Sequence, residues 1–468
     1  MSAELCFLSA TELVARYRAR ELSPVEVTRA VLDRIRALNP RLNAYCLVDE
    51  EGAVAAARAS EARWANETPA GPLDGVPASI KDLVLTKGWP TLRGSKTVDP
   101  AGPWNDDAPA TARLRESGVV LLGKTCTPEY GWKGVTDSAL TGITRNPWNL
   151  ERTPGGSSGG ASAQLAAGMG HLAVGTDGGG SIRIPSGFAG VSGIKAHFGR
   201  VPAWPLSPMG TVAHVGPMAR SIADVALMLN VLARPDARDW HALPYDGTDW
   251  TKSLGDGVRG LRIAYSPRLG YVKYVHPEVE ARVADAVKVL AQLGARVEQV
   301  DPDLPDARET FWVHWTSGAF NALRRLPADK LALVESGLRE AFEVGSRHAL
   351  GTYLDAVATR TQIGERMKRF HLDWDLLVTP TLAVPAFEVG RVAPEAPAAA
   401  RNDWTWWTPF SFPFNLTQQP AASVPCGFTA DGLPVGLQLV APAYREDLCL
   451  RAAHAFQSVT DHLRRPPL

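Results

Sequence analysis

The sequence predicts an α/β fold in which a sheet is covered on both faces by helices. The segment "DDAPATARLRESG" (106–118) has the composition of a helix, and "VVLLGKTCT" (119–127) follows it as a buried strand. The alternation returns later, where "LRIAYSP" (261–267) and "RVEQVDP" (296–302) flank an amphipathic helix predicted over 278–293. The chain has 468 residues, of which 45% are hydrophobic, so it can bury a large core.

Helices are predicted at the start of the chain by two capping boxes. "SATE" (Ser9–Glu12) and "SPVE" (Ser23–Glu26) each place a serine at the N-cap and a glutamate three residues later. They predict helices over 9–20 and 23–38, and the composition of 50–65 predicts a third. The segment "DGVPASIKDLVLT" (74–86) then changes to a strand-like pattern between glycine and proline.

The rest of the chain divides by composition. Residues 234–260 are polar and turn-rich, residues 304–375 are mostly helical, and strand patterns return in "QPAASVPCGF" and "LPVGLQLVAP" before a last helix at 446–458. We therefore predict one large domain spanning 1–468. Its segments are an N-terminal helical region (1–70), a glycine-rich core (71–230), a mainly helical excursion (231–375) and a C-terminal return to the sheet (376–468).

Composition excludes several classes of protein. Lys plus Arg and Asp plus Glu are equal at 49 each, so no global charge favours nucleic acid or an anionic membrane. The five cysteines are odd in number and form no CxxC motif, which disfavours a disulfide framework and a zinc site. No signal peptide and no apolar run of ~20 residues is evident. The sequence predicts a cytoplasmic protein with no metal and no cofactor.

Two glycine-rich loops are the strongest candidates for chemistry, "TPGGSSGG" (153–160) and "TDGGGSIRIPS" (176–186). Neither is followed by the Lys-Ser/Thr pair of a phosphate-binding loop. "GGSSG" (Gly155–Gly159) matches the nucleophile elbow formally, but "NPWNLERTP" before it is a poor buried strand. The ten histidines leave a Ser-His-Asp triad open, although none lies in a motif that marks it as a base.

Lys81 is a lone lysine within the apolar run "GVPASIKDL". It is either an edge-strand lysine whose amine reaches water, or a buried lysine. Burial would lower its pKa from about 10.4 toward neutrality and make it a general base. A serine nucleophile needs such a partner, but spacing alone does not choose between the two interpretations.

Together, "GVPASIKDL", "TPGGSSGGASAQLAAG" and "GTDGGGSIRIPSGFAGVSGIK", in this order and spacing, resemble the amidase signature family. "GVVLLGKTCTPEYGW" resembles the segment that precedes the signature, and "QPAASVPCGFTADGLPVGLQLVAP" resembles the closing strands. The resemblance runs from about residue 9 to 458. It implies a central mixed sheet with the helical excursion over the active site.

The resemblance also implies a Ser–Ser–Lys triad. Ser181 matches the nucleophile, Ser157 the bridging serine after a cis Gly156–Ser157 peptide, and Lys81 the base. The implied oxyanion-hole donors are the backbone N–H groups of Gly178, Gly179, Gly180 and Ser181. Support for these loops is expected from Thr176, Asp177, Arg183 and Ser158.

By analogy with the family, the walls of the substrate pocket are expected to include aromatic residues. Tyr130, Trp132 and Trp204 are the candidates, whereas the cluster at 404–412 is either core or pocket. The predicted reaction is cleavage of the C–N bond of a small amide through an acyl-enzyme. Aryl or apolar amides, anilides and carbamates are candidate substrates (aryl acylamidase or urethanase activity), and ester cleavage is a side activity.

Two other functions stay open. One is the glutamine-hydrolysing component (A-type) of a tRNA-dependent amidotransferase, and the other is an inactive binding protein of the same fold. The only partner predicted is the small-molecule substrate, without nucleic acid or membrane. The sequence does not determine the oligomeric state, for which a homodimer is one alternative.

Overall fold

The computed structural model describes residues 2–395 and 403–468. Within them the α-helices are α1 (Ser2–Leu5), α2 (Ala10–Arg18), α3 (Pro24–Leu42), α4 (Glu50–Ala65), α5 (Pro109–Glu116), α6 (Gly159–Ala166), α7 (Arg183–Ala189), α8 (Ile222–Leu232), α9 (Pro277–Gln292), α10 (Arg308–Leu323), α11 (Ala328–Leu331), α12 (Ser336–Ser346), α13 (Leu350–Asp373), α14 (Pro413–Leu416) and α15 (Glu446–Ser458).

The strands are β1 (Tyr45–Val48), β2 (Pro77–Lys81), β3 (Val120–Thr125), β4 (Asp137–Ser138), β5 (Gly142–Ile143), β6 (Leu172–Asp177), β7 (Ser192–Lys195), β8 (His214–Ala219), β9 (Arg262–Tyr265), β10 (Arg296–Gln299), β11 (Leu376–Pro380), β12 (Ala421–Phe428) and β13 (Pro434–Val440). Apart from the small β4–β5 hairpin, they form one 11-stranded sheet in the order β1-β3-β2-β6-β8-β7-β12-β13-β11-β9-β10. The pairs β3–β2, β2–β6, β11–β9 and β9–β10 are parallel, whereas the central pairs and the edge pair β1–β3 are antiparallel, so the sheet is mixed as predicted.

Helices cover both faces of this sheet, which confirms the predicted fold class. Every residue of β2, β3, β7, β11 and β13 is buried. Strands with two covered faces are expected to be apolar throughout. Three lysines are therefore exceptional, since each is fully buried on such a strand: Lys81 at the end of β2, Lys124 in β3 and Lys195 at the end of β7.

Local signals predicted the helix starts well. Both capping boxes are present, with Ser9 and Glu12 bonded reciprocally at α2, and Ser23 and Glu26 at α3. The ends of α4 and α15 coincide with the predicted 50–65 and 446–458. The helix of 278–293 and its flanking strands are also present as α9, β9 and β10.

The strands that carry the glycine-rich loops were not predicted. β6, β7 and β8 lie side by side in the middle of the sheet, within a segment that glycine dominates. The segment "HLAVGTD" (171–177) offered only a three-residue apolar run, Leu172–Val174, before a glycine. β2 pairs with β3 on one side and β6 on the other, so Lys81 does not lie on an edge strand and that alternative is wrong.

The helical segment packs over the C-terminal end of β6. Phe311 and Trp315 of α10 are buried, and Trp315 faces the loop that follows β6. The same part of the chain also contributes β9 and β10 to the sheet. The subdivision into four segments stays a prediction. Among the described helices, none is long and apolar enough to cross a membrane.

Candidate active site

Ser181 lies between a strand and a helix. β6 ends at Asp177, the turn Gly178–Gly180 follows, and α7 begins at Arg183. The serine is 6% exposed and lines a cavity of about 160 Å³. Ser157 lines the same cavity, and the backbone N–H of Ser158 donates to the Ser181 carbonyl at 3.2 Å. The two glycine-rich loops are therefore joined at the cavity, and the Gly156–Ser157 peptide is cis.

Lys81 lies directly behind these serines. Its Nζ is 2.7 Å from Ser157 Oγ, 2.8 Å from Ser158 Oγ and 2.9 Å from Thr176 Oγ1. The side chain is fully buried. Burial disfavours the charged ammonium, so the pKa of Lys81 lies well below its ordinary value, although Asp177 opposes this shift.

Asp177 and Arg183 form a buried ion pair beneath the turn. Arg183 Nη2 lies 3.0 Å from Asp177 Oδ1, and both side chains are fully buried. Burial alone would raise the pKa of Asp177, but Arg183 and the Asn415 amide hold it below its ordinary range. Arg183 also donates to the Ser411 carbonyl and to Gln438 Oε1, each at 2.9 Å. This network connects the turn to the C-terminal strands.

One of the predicted oxyanion-hole donors, the Gly180 N–H, is already bonded to the Asp177 carboxylate. The N–H of Gly180 donates to Asp177 Oδ1 at 2.7 Å, and the N–H of Ile182 donates to Oδ2 at 3.2 Å. Gly180 therefore holds the turn in place and does not offer its N–H to the cavity. Within the described residues, the N–H groups of Gly178, Gly179 and Ser181 have no protein acceptor.

The glycines are required by close packing. A Cβ at Gly179 would lie 2.7 Å from Phe311 Cζ and 2.9 Å from Trp404 Cη2. Gly180 has φ +127°, and a Cβ there would lie 2.5 Å from Ser411 Oγ. Aromatic side chains thus press on the side of the turn away from the cavity, so only glycine leaves room for them.

The cavity wall differs in part from the predicted one. Tyr130 and Trp204 line the cavity, but Trp132 does not, so its prediction as a wall residue is wrong. Trp132 is buried behind the wall, where its indole N–H bonds to Glu335 and its carbonyl accepts from Trp315 Nε1 at 3.0 Å. Trp315 is the aromatic residue that reaches the cavity from this side. Sequence reasoning missed it because helical periodicity does not show which face of α10 meets the site.

The aromatic cluster near the C-terminus is core. Trp404, Trp407, Phe410 and Phe412 are nearly or fully buried, and none lines the cavity. Phe311 links them to α10, with ring centroids 4.9 Å from Phe412 and 5.7 Å from Trp404. The cluster supports the turn from below instead of contacting a ligand.

The one histidine that lines the cavity, His214, does not complete a Ser-His-Asp triad. Its Nδ1 is 2.9 Å from the Val212 carbonyl and 3.2 Å from the Asp177 carbonyl. Its Nε2 lies 3.5 Å from Lys195 Nζ. Burial and the nearby Lys195 place the pKa of His214 well below its ordinary value. Among the described residues, no hydrogen bond joins it to Ser181.

The chain is similar to known proteins over nearly its whole length. The Amidase family model matches residues 26–450. The acylamidase of Rhodococcus erythropolis is 39% identical over 470 residues, covering 99% of this chain and 98% of that protein. The A-type chain of the glutamyl-tRNA(Gln) amidotransferase of Chloroflexus aggregans is 37% identical over 494 residues, covering 99% of each.

Solved structures show the same architecture. A bacterial aryl acylamidase described as one of the amidase signature enzymes has a TM-score of 0.89 and 31% identity, covering 97% of this chain and 96% of its own. A 6-aminohexanoate cyclic dimer hydrolase complexed with substrate has a TM-score of 0.89 and 29% identity, covering 99% of both chains.

Proposed function

Because this chain belongs to the amidase signature family and is an amide-cleaving hydrolase, we propose that it hydrolyses small aryl or apolar amides with Ser181 as nucleophile. Ser157 relays the proton and Lys81 is the base. The observation that carries this proposal is the fully buried Lys81 amine, 2.7 Å from Ser157 Oγ and behind the cavity that Ser181 lines.

The hydrogen bonds around Lys81 accommodate the neutral amine that its lowered pKa favours. A neutral amine donates two hydrogen bonds and accepts one, and three hydroxyls surround Nζ. Ser158 Oγ donates to the Thr176 carbonyl at 3.2 Å, so it accepts from Lys81. Ser157 Oγ has no other hydrogen-bond partner in the described chain, so its proton is free to point at the amine lone pair. This is the direction that the relay requires.

The steps follow from these directions. Lys81 takes the proton of Ser157 while Ser157 takes that of Ser181, and Ser181 Oγ forms a bond to the carbonyl carbon. When the tetrahedral intermediate collapses, the C–N bond breaks and the relay returns a proton to the leaving amine. Water then hydrolyses the acyl-enzyme by the same relay. Among the described residues, Ser157 Oγ and Ser181 Oγ are not yet hydrogen-bonded to each other, and catalytic contacts of this kind commonly tighten only with substrate.

The oxyanion is assigned to the N–H groups of Gly178, Gly179 and Ser181. They have no other acceptor in the described chain, and each donor of this type contributes ~3–4 kcal/mol to transition-state stabilisation. Asp177 is a positioning residue, because it holds the turn through Gly180 and Ile182 and touches no reacting atom.

The substrate class follows from the wall. A cavity of about 160 Å³ lies below the ~300–1,000 Å³ of common ligand pockets, which favours a small substrate. Leu83, Trp204, Leu206, Met209 and Trp315 make most of the wall apolar. Anilides and aryl carbamates fit this lining, and the similarity to an acylamidase and to an aryl acylamidase supports the same class.

A second candidate is glutamine hydrolysis within a tRNA-dependent amidotransferase. It is favoured by the 37% identity to the A-type chain of such an enzyme over 99% of this chain. Among the described lining residues no unpaired carboxylate is available to the ammonium group of free glutamine, because Asp177 is paired with Arg183. The two candidates differ in the amide that they prefer.

The test is hydrolysis of matched amides by the purified chain. Acetanilide, p-nitroacetanilide, a phenyl carbamate, an aliphatic amide, glutamine and a p-nitrophenyl ester form the panel. We expect anilides to be cleaved, Ser181→Ala to lose at least 10³-fold in kcat on all of them (on the order of triad knockouts), and a fluorophosphonate to label Ser181. Ser346→Ala, an exposed serine at the end of α12, is the control. Preference for glutamine supports the second candidate, and unchanged turnover by Ser181→Ala refutes the mechanism.

A further inference from the structure

The guanidinium of Arg93 lies at the cavity and has no hydrogen-bonding or ion-pair partner among the described residues. Its side chain is half-buried and lines the cavity together with Tyr130, Ser157 and Ser181. The guanidinium lies over the Tyr130 ring, 6.0 Å from the ring centroid. Within the described residues it makes no ion pair and no side-chain hydrogen bond. A half-buried guanidinium with its five donors unused is a recognition group for an acceptor that arrives from outside.

The backbone holds Arg93 in an uncommon conformation. Arg93 has φ +58°, and Tyr130, whose N–H donates to the Arg93 carbonyl at 2.7 Å, has φ +50°. Left-handed backbone is costly for side chains of this size and persists where the surroundings enforce it, often at functional sites. Arg93 and Tyr130 both line the cavity, and a backbone hydrogen bond joins them. Two residues with left-handed backbone at one cavity point to a function that their side chains share.

The enforcing contacts come from the residue next to Lys81. The Asp82 carboxylate accepts the N–H of Leu92 at 3.1 Å and the N–H of Gly94 at 3.2 Å, on either side of Arg93. On the other side, Tyr130 OH bonds to Thr97 Oγ1 at 2.7 Å. The cation is thus presented by a rigid turn, so its position relative to the catalytic serines is preset.

No other group at the cavity cancels this charge among the residues that the structure describes. Asp177 is paired with Arg183 in the interior. The pKa of His214 lies well below its ordinary value because of burial and Lys195, so that ring is neutral. The remaining lining is apolar or uncharged, which leaves the Arg93 guanidinium as the unbalanced charge of the cavity.

We propose that Arg93 is a specificity-determining residue that binds a carboxylate on the amide substrate. The inference rests on the proposed amidase function and narrows its substrate class to amides that carry an anionic group on an otherwise small, apolar frame. A guanidinium binds a carboxylate through two parallel N–H···O bonds, which gives orientation as well as affinity. The bound carboxylate would place the scissile carbonyl relative to Ser181.

The test uses two matched substrate pairs, because the carboxylate could lie on either side of the C–N bond. N-phenylsuccinamate is compared with the isosteric neutral anilide of 4-methylpentanoic acid, and 4-acetamidobenzoate with 4-isopropylacetanilide. We expect the wild-type kcat/KM to be at least about 10-fold higher for the carboxylate of one pair, as ~1.4 kcal/mol of added binding predicts. Arg93→Gln should remove this preference mainly through KM and change the neutral partner less than about 2-fold, with Arg93→Lys intermediate.

Arg238→Gln is the matched control. Arg238 also stacks on an aromatic residue of the wall, 4.7 Å from the Trp204 centroid, but it is already paired with Asp236. It should leave both substrate pairs unchanged. The inference is overturned if no carboxylate is preferred, if Arg93→Gln affects both members of a pair equally, or if Arg238→Gln has the same effect. Cleavage of the neutral anilides without carboxylate preference refutes this inference alone, whereas no cleavage of any member refutes the proposed function with it.

Discussion

The amine of Lys81 and the hydroxyl of Ser157 lie 2.7 Å apart, although 76 positions separate them in the sequence. The end of β2 brings the lysine, and the loop before α6 brings the serine. Both residues are buried, and the low local dielectric strengthens the contact. Four consequences of this site and its surroundings can be measured.

The first prediction concerns the pH dependence of the rate. Burial lowers the pKa of Lys81, so the amine is neutral over a range in which an ordinary lysine is protonated. As the pH falls through that lowered pKa, Lys81 takes up a proton and kcat/KM should fall. Lys81→Met should lose about 10²–10⁴-fold, the usual contribution of a general base. Lys81→Arg should not recover activity at alkaline pH, since a guanidinium stays protonated.

The measurement is a pH–rate profile on a neutral anilide. Lys288→Gln, on the exposed face of α9, is the control and should retain the wild-type profile. A Lys81→Arg profile with the wild-type acidic limb would contradict the assignment of the base.

The second prediction concerns the buried ion pair. Asp177→Asn leaves Arg183 charged and fully buried without its carboxylate. Removing one partner of such a pair is expected to cost about 3–5 kcal/mol of unfolding free energy. Urea unfolding measures it, and Glu365→Gln, which breaks the exposed pair with Arg369, should cost no more than ~0.5 kcal/mol. A loss below ~1 kcal/mol for Asp177→Asn would mean that the pair does not hold the turn.

The third prediction concerns the glycine turn. Gly179→Ala forces a methyl group to within 2.7 Å of Phe311 Cζ, so the turn or the ring must shift. A displacement of ~1 Å at a catalytic centre costs on the order of 10²-fold in rate, and we expect a kcat loss of that size with the fold retained. Gly364→Ala in α13 has no atom within 4 Å of its new Cβ and should add up to ~1 kcal/mol of stability. Equal kcat in the Gly179→Ala and Gly364→Ala variants would refute the argument from packing.

The fourth prediction compares a tryptophan that lines the cavity with one on the protein surface. Trp204 lines the cavity, and Trp240 in the following excursion is 83% exposed. Trp204→Ala should raise KM for anilides roughly 10-fold with little change in kcat, because the wall binds substrate and transition state alike. Trp240→Ala should leave both constants unchanged. If the two variants behave alike, Trp204 does not contact substrate.

The sequence predicted those features that depend on near neighbours. Capping boxes mark helix starts because the bonds that they make join residues three positions apart. The helix pattern of α5 followed by the apolar run of β3 was sufficient to predict the fold class, since strands covered on both faces are mostly apolar. The roles of Lys81, Ser157 and Ser181 were predicted only through the resemblance, because spacing alone left Lys81 either exposed or buried.

The tertiary structure decided what depends on strand register and packing between distant segments. The position of β2 inside the sheet buries Lys81 among three hydroxyls. The carboxylate of Asp177 engages the Gly180 N–H and leaves the other donors of the turn to the cavity. The packing of α10 brings Trp315, not Trp132, to the wall. These outcomes are absent from the sequence pattern because hydrogen-bond partners and buried surfaces are chosen among groups that only the folded chain brings together.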